Sequence, residues 1–185
     1  MADGSDVAPQ DRLCVRGTLK KLSVKDSATA GGDKISAKWE VPLHVCIGSD
    51  YATPCATDAD CGVAGRCRRV NVDPSRDSLR IVAADDTPLY DQEIPFTSPL
   101  WTNKDDVKFQ YKDSDALNGP TAKMKVTLND RKDVLQLSFS GKGFDVKTPV
   151  NAARGVVGLS IGSRCFMETS TNCTSSSGKL SCKAS

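Results

Sequence analysis

The sequence predicts an all-β protein: a sandwich built from two related halves, stapled by disulfides and containing little helix. One indication is that aspartate far outnumbers glutamate, since the only glutamates are Glu40, Glu93 and Glu168. Aspartate favours turns and caps because its short side chain bonds to nearby backbone, whereas glutamate favours helix interiors. A second indication is that no stretch carries apolar residues at helical spacing over three turns. The third is the alternation of apolar and polar residues.

Alternating segments account for most of the chain. From Ile35 to Val45 every second residue is apolar, which predicts a long, half-buried strand. Pro42 lies within this run and favours an edge position or a bulge, because proline donates no hydrogen bond to a sheet. Residues 129–133 have the composition of a hairpin turn. The other alternating sets lie at 22–24, 79–83, 124–128, 135–139 and 157–161.

An internal repeat divides the chain, since residues 21–41 match residues 108–128 without a gap. Leu22 aligns with Phe109, so apolar residues align with apolar residues in the two segments. Shifting the alignment by one residue would place apolar residues opposite polar ones. Each half has few strands, so we expect the halves to pack face to face as one domain, with independent halves on a linker as the alternative. The predicted divisions are a loose segment 1–12, a first β half 13–98 with a cysteine-rich insertion 46–67, and a second β half 99–185.

Eight cysteines predict a disulfide framework and hence an oxidising compartment. Structural zinc sites usually separate their cysteines by two to four residues, a spacing that the run from Cys55 through Cys61 to Cys67 does not have. The four cysteines of the insertion are expected to form two local disulfides, in any of three pairings. The cysteines are Cys14, Cys46, Cys55, Cys61, Cys67, Cys165, Cys173 and Cys182.

Cysteine usage also predicts that the protein is secreted or lies at the cell surface. The first residues are polar, so we expect that a signal peptide has been removed. No apolar run approaches the length of a transmembrane segment.

Several function classes are disfavoured. His44 is the only histidine, no Gly-x-Ser-x-Gly turn occurs, and cysteines in disulfides cannot act as nucleophiles. Paired aspartates in polar turns do not match the two carboxylates across a cleft that glycoside hydrolysis needs. We therefore expect no enzymatic activity. Lys+Arg is 25 and Asp+Glu is 23, which argues against an obligate nucleic-acid-binding protein.

Two features are candidate ligand contacts. The cluster of Arg66, Arg68 and Arg69 offers positive charge to an anionic polysaccharide or a lipid head group, although nearby aspartates also fit a solvated face of mixed charge. Trp101, in the junction between the halves, offers a ring that stacks on a sugar or on a partner. Packing over the seam between the halves is the alternative interpretation of Trp101.

Calcium is the one candidate cofactor, at Asp113, Asp115 and Asn118. Calcium takes six to eight oxygen ligands from carboxylates and carbonyls on a tight loop, and this segment offers part of such a set. The segment does not complete the Asp-x-Asp-x-Asp-Gly pattern with its glutamate at the twelfth position.

Residues 101–168 carry a set of short motifs. They are Trp101, Phe109-Gln110-Tyr111-Lys112-Asp113, Asn118-Gly119-Pro120, Leu135-Gln136-Leu137, Gly141-Lys142-Gly143 and Cys165-Phe166-Met167-Glu168. This stretch resembles a repeated module found in secreted proteins of myxobacteria and related bacteria. The resemblance implies export, a β fold and a pairing of Cys165 with Cys182, which leaves Cys173 for Cys14. It implies no activity.

Together these observations predict a non-enzymatic secreted or cell-surface protein that binds a glycan or a surface. The alternative is a structural subunit that joins copies of itself into an extracellular filament or layer through exposed strands.

Overall fold

The computed structural model describes residues 14–47, 53–63, 65–73, 78–84, 88–115, 117–145, 155–161 and 164–184, so the predicted loose segment 1–12 lies outside it. The described residues form strands and one short 3-10 helix, Asp58–Cys61. The strands are β1 (Val15–Arg16), β2 (Thr18–Lys25), β3 (Lys34–Pro42), β4 (His44–Ile47), β5 (Arg66–Arg69), β6 (Ser78–Ala84), β7 (Pro88–Pro95), β8 (Trp101–Lys104), β9 (Lys108–Lys112), β10 (Thr121–Asn129), β11 (Val134–Lys142), β12 (Gly155–Ile161), β13 (Arg164–Ser170), β14 (Cys173–Ser176) and β15 (Lys179–Lys183).

The large sheet has eight strands in the order β14-β15-β2-β3-β11-β10-β9-β8, and all neighbours are antiparallel. Alternate side chains of a strand point to opposite faces, so the apolar set of each strand lines one face. In the middle of the sheet, Trp39 lies opposite Leu137, which lies opposite Val126, and all three are buried. This inner face forms one side of the core.

The second sheet has five strands in the order β1-β13-β12-β6-β7. β1 joins β13 in parallel, and the other neighbours are antiparallel. The two sheets share one apolar core, in which Tyr90 of β7 stacks on Phe139 of β11 with ring centroids 5.2 Å apart. Burying the apolar faces of two sheets against each other is the geometry of a sandwich. The predicted all-β, disulfide-stapled sandwich is therefore confirmed.

Both sheets combine strands from the two predicted halves, since β3 pairs with β11 and β6 pairs with β12. The repeated segments form two hairpins, β2–β3 and β9–β10, which flank β11 in opposite order across the sheet. The two predicted halves therefore share both sheets and do not form one layer each. A common origin of the halves stays a prediction.

Pro42 lies at the end of β3, which is an interior strand of the large sheet. Pro42 lies opposite Val134 of β11, whereas the pairing of β3 with β2 ends at Glu40, so Pro42 has no partner on β2. Neither the predicted edge position nor the predicted bulge occurs at Pro42, because the strand ends at this residue.

The insertion 46–67 forms a small unit of its own. β4 and β5 pair as a hairpin, and disulfides join Cys46 to Cys61 and Cys55 to Cys67. The two predicted local disulfides are confirmed, in one of the three possible pairings. Carboxylates hold the rest of the unit together. Asp58 accepts a hydrogen bond from the backbone of Cys67 at 2.8 Å, and Asp60 accepts one from that of Thr57 at 2.8 Å.

The pairing implied for the remaining cysteines is wrong. Disulfides join Cys14 to Cys165 and Cys173 to Cys182. The parallel pairing of β1 with β13 brings Cys14 beside Cys165, whereas Cys173 and Cys182 lie directly opposite each other in the β14–β15 hairpin.

Among the described residues, no helix has the length and apolar character needed to cross a membrane.

Candidate functional site

Lysines cover the outer face of the large sheet. All but two of the chain's lysines lie on strands of this sheet, and the exceptions are Lys132, in the turn between β10 and β11, and Lys147, outside the described residues. We call this surface the lysine face. Its lysines are Lys20, Lys21, Lys25, Lys34, Lys38, Lys104, Lys108, Lys112, Lys123, Lys125, Lys142, Lys179 and Lys183.

Strand periodicity explains why the lysines share a face. In β2, buried Leu22 and Val24 alternate with Lys21, Ser23 and Lys25. Since alternate side chains point to opposite faces, filling the inner face with apolar residues leaves lysine and serine on the outer face. The same phase holds in the neighbouring strands, because residues paired directly across a sheet lie on one face.

Four lysines form a line across adjacent strands. Lys179 lies opposite Lys25, Lys25 opposite Lys34, and Lys34 opposite Lys142. We call these four the first lysine row. Neighbouring strands are about 4.8 Å apart, so the row spans about 14 Å.

A line of serines runs beside the first lysine row. Ser181 lies opposite Ser23, Ser23 opposite Ser36, and Ser36 opposite Ser140. We call these four residues the serine row. Their hydroxyls can both donate and accept hydrogen bonds.

A second lysine row lies beyond the serine row. It contains Lys183 opposite Lys21, and Lys21 opposite Lys38. Ser138 follows on β11, and Lys125 lies opposite that serine on β10. The serine row is thus flanked on both sides by positive charge.

Two depressions occur on the lysine face. The larger has a volume of about 650 Å³, and its lining includes all four lysines of the first lysine row with Ser23, Ser36 and Ser140. The smaller has a volume of about 290 Å³, and its lining includes Lys38, Lys125 and Glu40. The outer face therefore offers concave, positively charged surface.

Acidic residues are nearly absent from the lysine face. Glu40 is the only acidic residue on the strands of the large sheet, all of which are described. Gln136 donates a hydrogen bond to it at 2.9 Å, and the Lys20 ammonium lies 3.1 Å from its other oxygen. These two hydrogen bonds and the positive charge lower the pKa of the Glu40 carboxyl, so it stays ionised at neutral pH.

Within the part of the chain that the structure describes, no acidic group neutralises the first lysine row. None of its four ammonium groups forms an ion pair with an acidic group in the described parts of the chain. Like charges directly opposite each other destabilise a sheet. A bound anion relieves this repulsion, so the arrangement is chemically suited to anionic groups.

The predicted arginine cluster lies elsewhere, on β5 beside the disulfide unit. Arg68 lies 3.5 Å from Asp58, and Arg69 forms an ion pair with Asp130 at 3.0 Å. Arg66 is exposed. Two of the three arginines thus lie beside carboxylates, and ligand binding by the cluster stays a prediction.

Trp101 packs among other aromatic rings at the edge of the core. Its ring centroid lies 4.7 Å from that of Phe96 and 5.5 Å from that of Tyr111. The side chain is half-buried, as the alternative of packing over the seam requires. Trp101 belongs to the core side of the sheet and not to the lysine face, since it pairs with buried Tyr111.

The calcium candidates lie on one loop, and Asp113 organises it. Asp113 is buried, and its carboxylate accepts hydrogen bonds from the backbone of Leu117 at 3.2 Å and of Asn118 at 2.8 Å. The side-chain amide of Asn118 donates a further one at 3.2 Å. These donors lower the pKa of Asp113. Asp115 is exposed, and calcium binding at this loop stays a prediction.

His44 and the clustered cysteines have structural roles. The Nδ1 atom of His44 forms a hydrogen bond with the Asp133 carboxylate, which ties the disulfide unit to the β10–β11 turn. The Sγ atoms of Cys46, Cys55 and Cys61 lie within 4.8 Å of one another. They belong to two packed disulfides, and a sulfur in a disulfide is not a thiolate ligand.

Sequence reasoning missed the lysine face, although the signal was present. The nearly balanced net charge of +2 concealed it, because the described aspartates other than Asp91 lie outside strands, whereas most lysines lie on strands. The lysine face becomes visible when charge is counted only at the polar positions of each alternating segment. Lys21 and Lys25 occupy such positions in one segment, and Lys34 and Lys38 in the next.

No protein family, no curated protein and no solved structure matches this chain, so the likeness to a secreted bacterial module stays a prediction.

Proposed function

We propose that this protein is a non-catalytic extracellular protein that binds a polyanionic glycan or a surface coated with one, through the lysine face. The observation that carries the proposal is the first lysine row, in which four lysines without an ion pair among the described residues lie side by side. Disulfides throughout the fold support an oxidising, extracellular setting.

The shape of the site favours a polymer over a small molecule. Small-molecule sites are usually enclosed and lined mainly by apolar and aromatic side chains. The lysine face is broad and lined by lysine and serine, and it presents many weak contacts at once. Each exposed lysine near an anionic surface contributes about 1 kcal/mol, so useful affinity requires several contacts.

Electrostatic binding of this kind depends on salt. At physiological ionic strength exposed charges are screened over about 8 Å, and at about 1 M salt over about 3 Å. We therefore expect binding to be strong at low salt and weak at high salt.

Retention on immobilised polymers tests the proposal. The full-length, oxidised protein is passed over polygalacturonate, a linear chain with one carboxylate per sugar, and over neutral dextran as the matched control. We expect retention on polygalacturonate at low salt, elution as salt rises, and no retention on dextran. Equal behaviour on both polymers, or no retention on polygalacturonate at low salt, would overturn the proposed function.

A further inference from the structure

We infer that the bound polymer runs across the strands along the first lysine row, and that it is an acidic polysaccharide with one negative group per sugar. This inference rests on the proposed function and adds to it the direction of the chain and the class of ligand.

The spacing of the lysines determines the direction in which a bound polymer runs. Across the strands, the four lysines of the first lysine row follow one another at about 4.8 Å. Along β2 and β3, the lysines of the two rows are four residues apart, as in Lys21 and Lys25 or Lys34 and Lys38, which corresponds to about 13 Å. A charged chain therefore meets the densest line of ammonium groups when it crosses the strands.

The repeat of the row suits a polymer with a charge on every sugar. A sugar residue in an extended chain advances by a length comparable with the strand spacing of about 4.8 Å. The carboxylates that project toward the sheet can then contact lysines of the row, while the chain passes over all four strands.

The depression beside the row supplies the polar contacts that a sugar needs. Ser23, Ser36 and Ser140 line it together with the four lysines. Their hydroxyls can hydrogen-bond sugar hydroxyls, while the lysines contact the charged groups. A carbohydrate presents both kinds of group along one chain.

The composition of the lysine face disfavours nucleic acid as the occupant. Single-stranded nucleic acid is usually held by aromatic rings that stack on the bases. Arginine is the residue best suited to bidentate phosphate contacts. The lysine face has neither, because no arginine lies on the strands of the large sheet and the aromatic residues of those strands occupy the core side.

Two variants with equal loss of charge test the inference. Lys25→Gln with Lys34→Gln removes neighbouring members of the first lysine row. Lys108→Gln with Lys112→Gln removes two lysines of the same face that follow each other along β9. We expect the row variant to bind polygalacturonate roughly thirtyfold more weakly, because two contacting lysines are lost, and the control roughly twofold more weakly, measured by calorimetry at low salt.

The outcomes separate the inference from the proposed function. Failure of the wild type to bind polygalacturonate overturns the proposed function. If the wild type binds polygalacturonate and both variants lose affinity equally, the polymer does not follow the first lysine row, although the proposed function stands. Tighter binding to double-stranded DNA than to polygalacturonate overturns the polysaccharide assignment. Thermal unfolding checks that both variants are folded. We expect them to be, because each variant removes repulsion between neighbouring lysines.

A length series gives a second measurement. Oligogalacturonates of increasing length should gain affinity up to roughly four or five sugars, the length that covers four strands, and little beyond it. A plateau at two sugars contradicts a chain lying along the whole row.

Discussion

At the residue scale, the role of a polar side chain depends on the hydrogen-bond donors and acceptors around it. Asp113 attracts attention in the sequence as part of an acidic loop, and the structure shows it accepting hydrogen bonds from that loop. A short sequence pattern cannot separate these uses, because a carboxylate that organises a turn and one that binds a cation occupy similar positions. The outward direction of Lys25 and Lys34 does follow from alternation alone.

Asp113 is expected to contribute stability that depends on pH. Its pKa in the folded protein lies below the ordinary value of 3.8, mainly because the Asn118 backbone donates to the carboxylate. The stabilisation is therefore present above that ordinary value and is lost as pH falls through the lower, folded pKa. Asp113→Asn should lower the midpoint of thermal unfolding at neutral pH, and the gap to the wild type should close in acid.

Asp115→Asn is the matched control for that measurement, because Asp115 is exposed and lies on the same loop. We expect it to unfold like the wild type at all pH values. A gap for Asp113→Asn that persists unchanged into strong acid would show that the effect is not due to the charge.

At the element scale, alternation predicts where strands occur but not which distant strands are neighbours. Hairpins such as β10–β11 follow from local turns, whereas the pairing of β1 with β13 and of β15 with β2 depends on the whole fold. For this reason the sequence predicts two local disulfides in the insertion but not the partner of Cys14.

The two disulfides outside the insertion should differ in their effect on stability. Cys14–Cys165 closes a loop with a sequence separation of 151, and Cys173–Cys182 one with a separation of 9. Loop-closure entropy grows with loop length, so removal should cost about 5 kcal/mol for the first and about 3 kcal/mol for the second. Denaturant unfolding of the two double serine variants measures this difference. A larger loss for the Cys173/Cys182 variant would contradict it.

The edges of the sheets bear on the alternative of a filament subunit. The large sheet ends in β8 and β14, which have four residues each, and β1 at the edge of the smaller sheet has two. Short edge strands are a common means of preventing strand addition between molecules. The other edge of the smaller sheet, β7, has eight residues, so edge length does not separate a binding protein from an assembly through exposed strands.

At the scale of the whole molecule, the net charge is small, but the positive charges are concentrated on one face. The net charge is only +2, yet the outer face of the large sheet carries most of the lysines and a single acidic residue, Glu40. Composition excludes a uniformly basic protein but cannot reveal such a face. The fold class was predictable from alternation and cysteines, whereas the site requires the strand order that aligns lysines of separate hairpins.

Lysine footprinting shows whether an acidic polysaccharide covers the first lysine row. The oxidised protein is acetylated with a lysine-reactive ester at low salt, alone or with polygalacturonate or dextran, and the modified positions are read by mass spectrometry. We expect polygalacturonate to protect Lys25, Lys34, Lys142 and Lys179, Lys132 in the β10–β11 turn to react as before, and dextran to protect none of them. Protection of Lys132 to the same extent as the first lysine row, or no protection at all, would contradict this expectation.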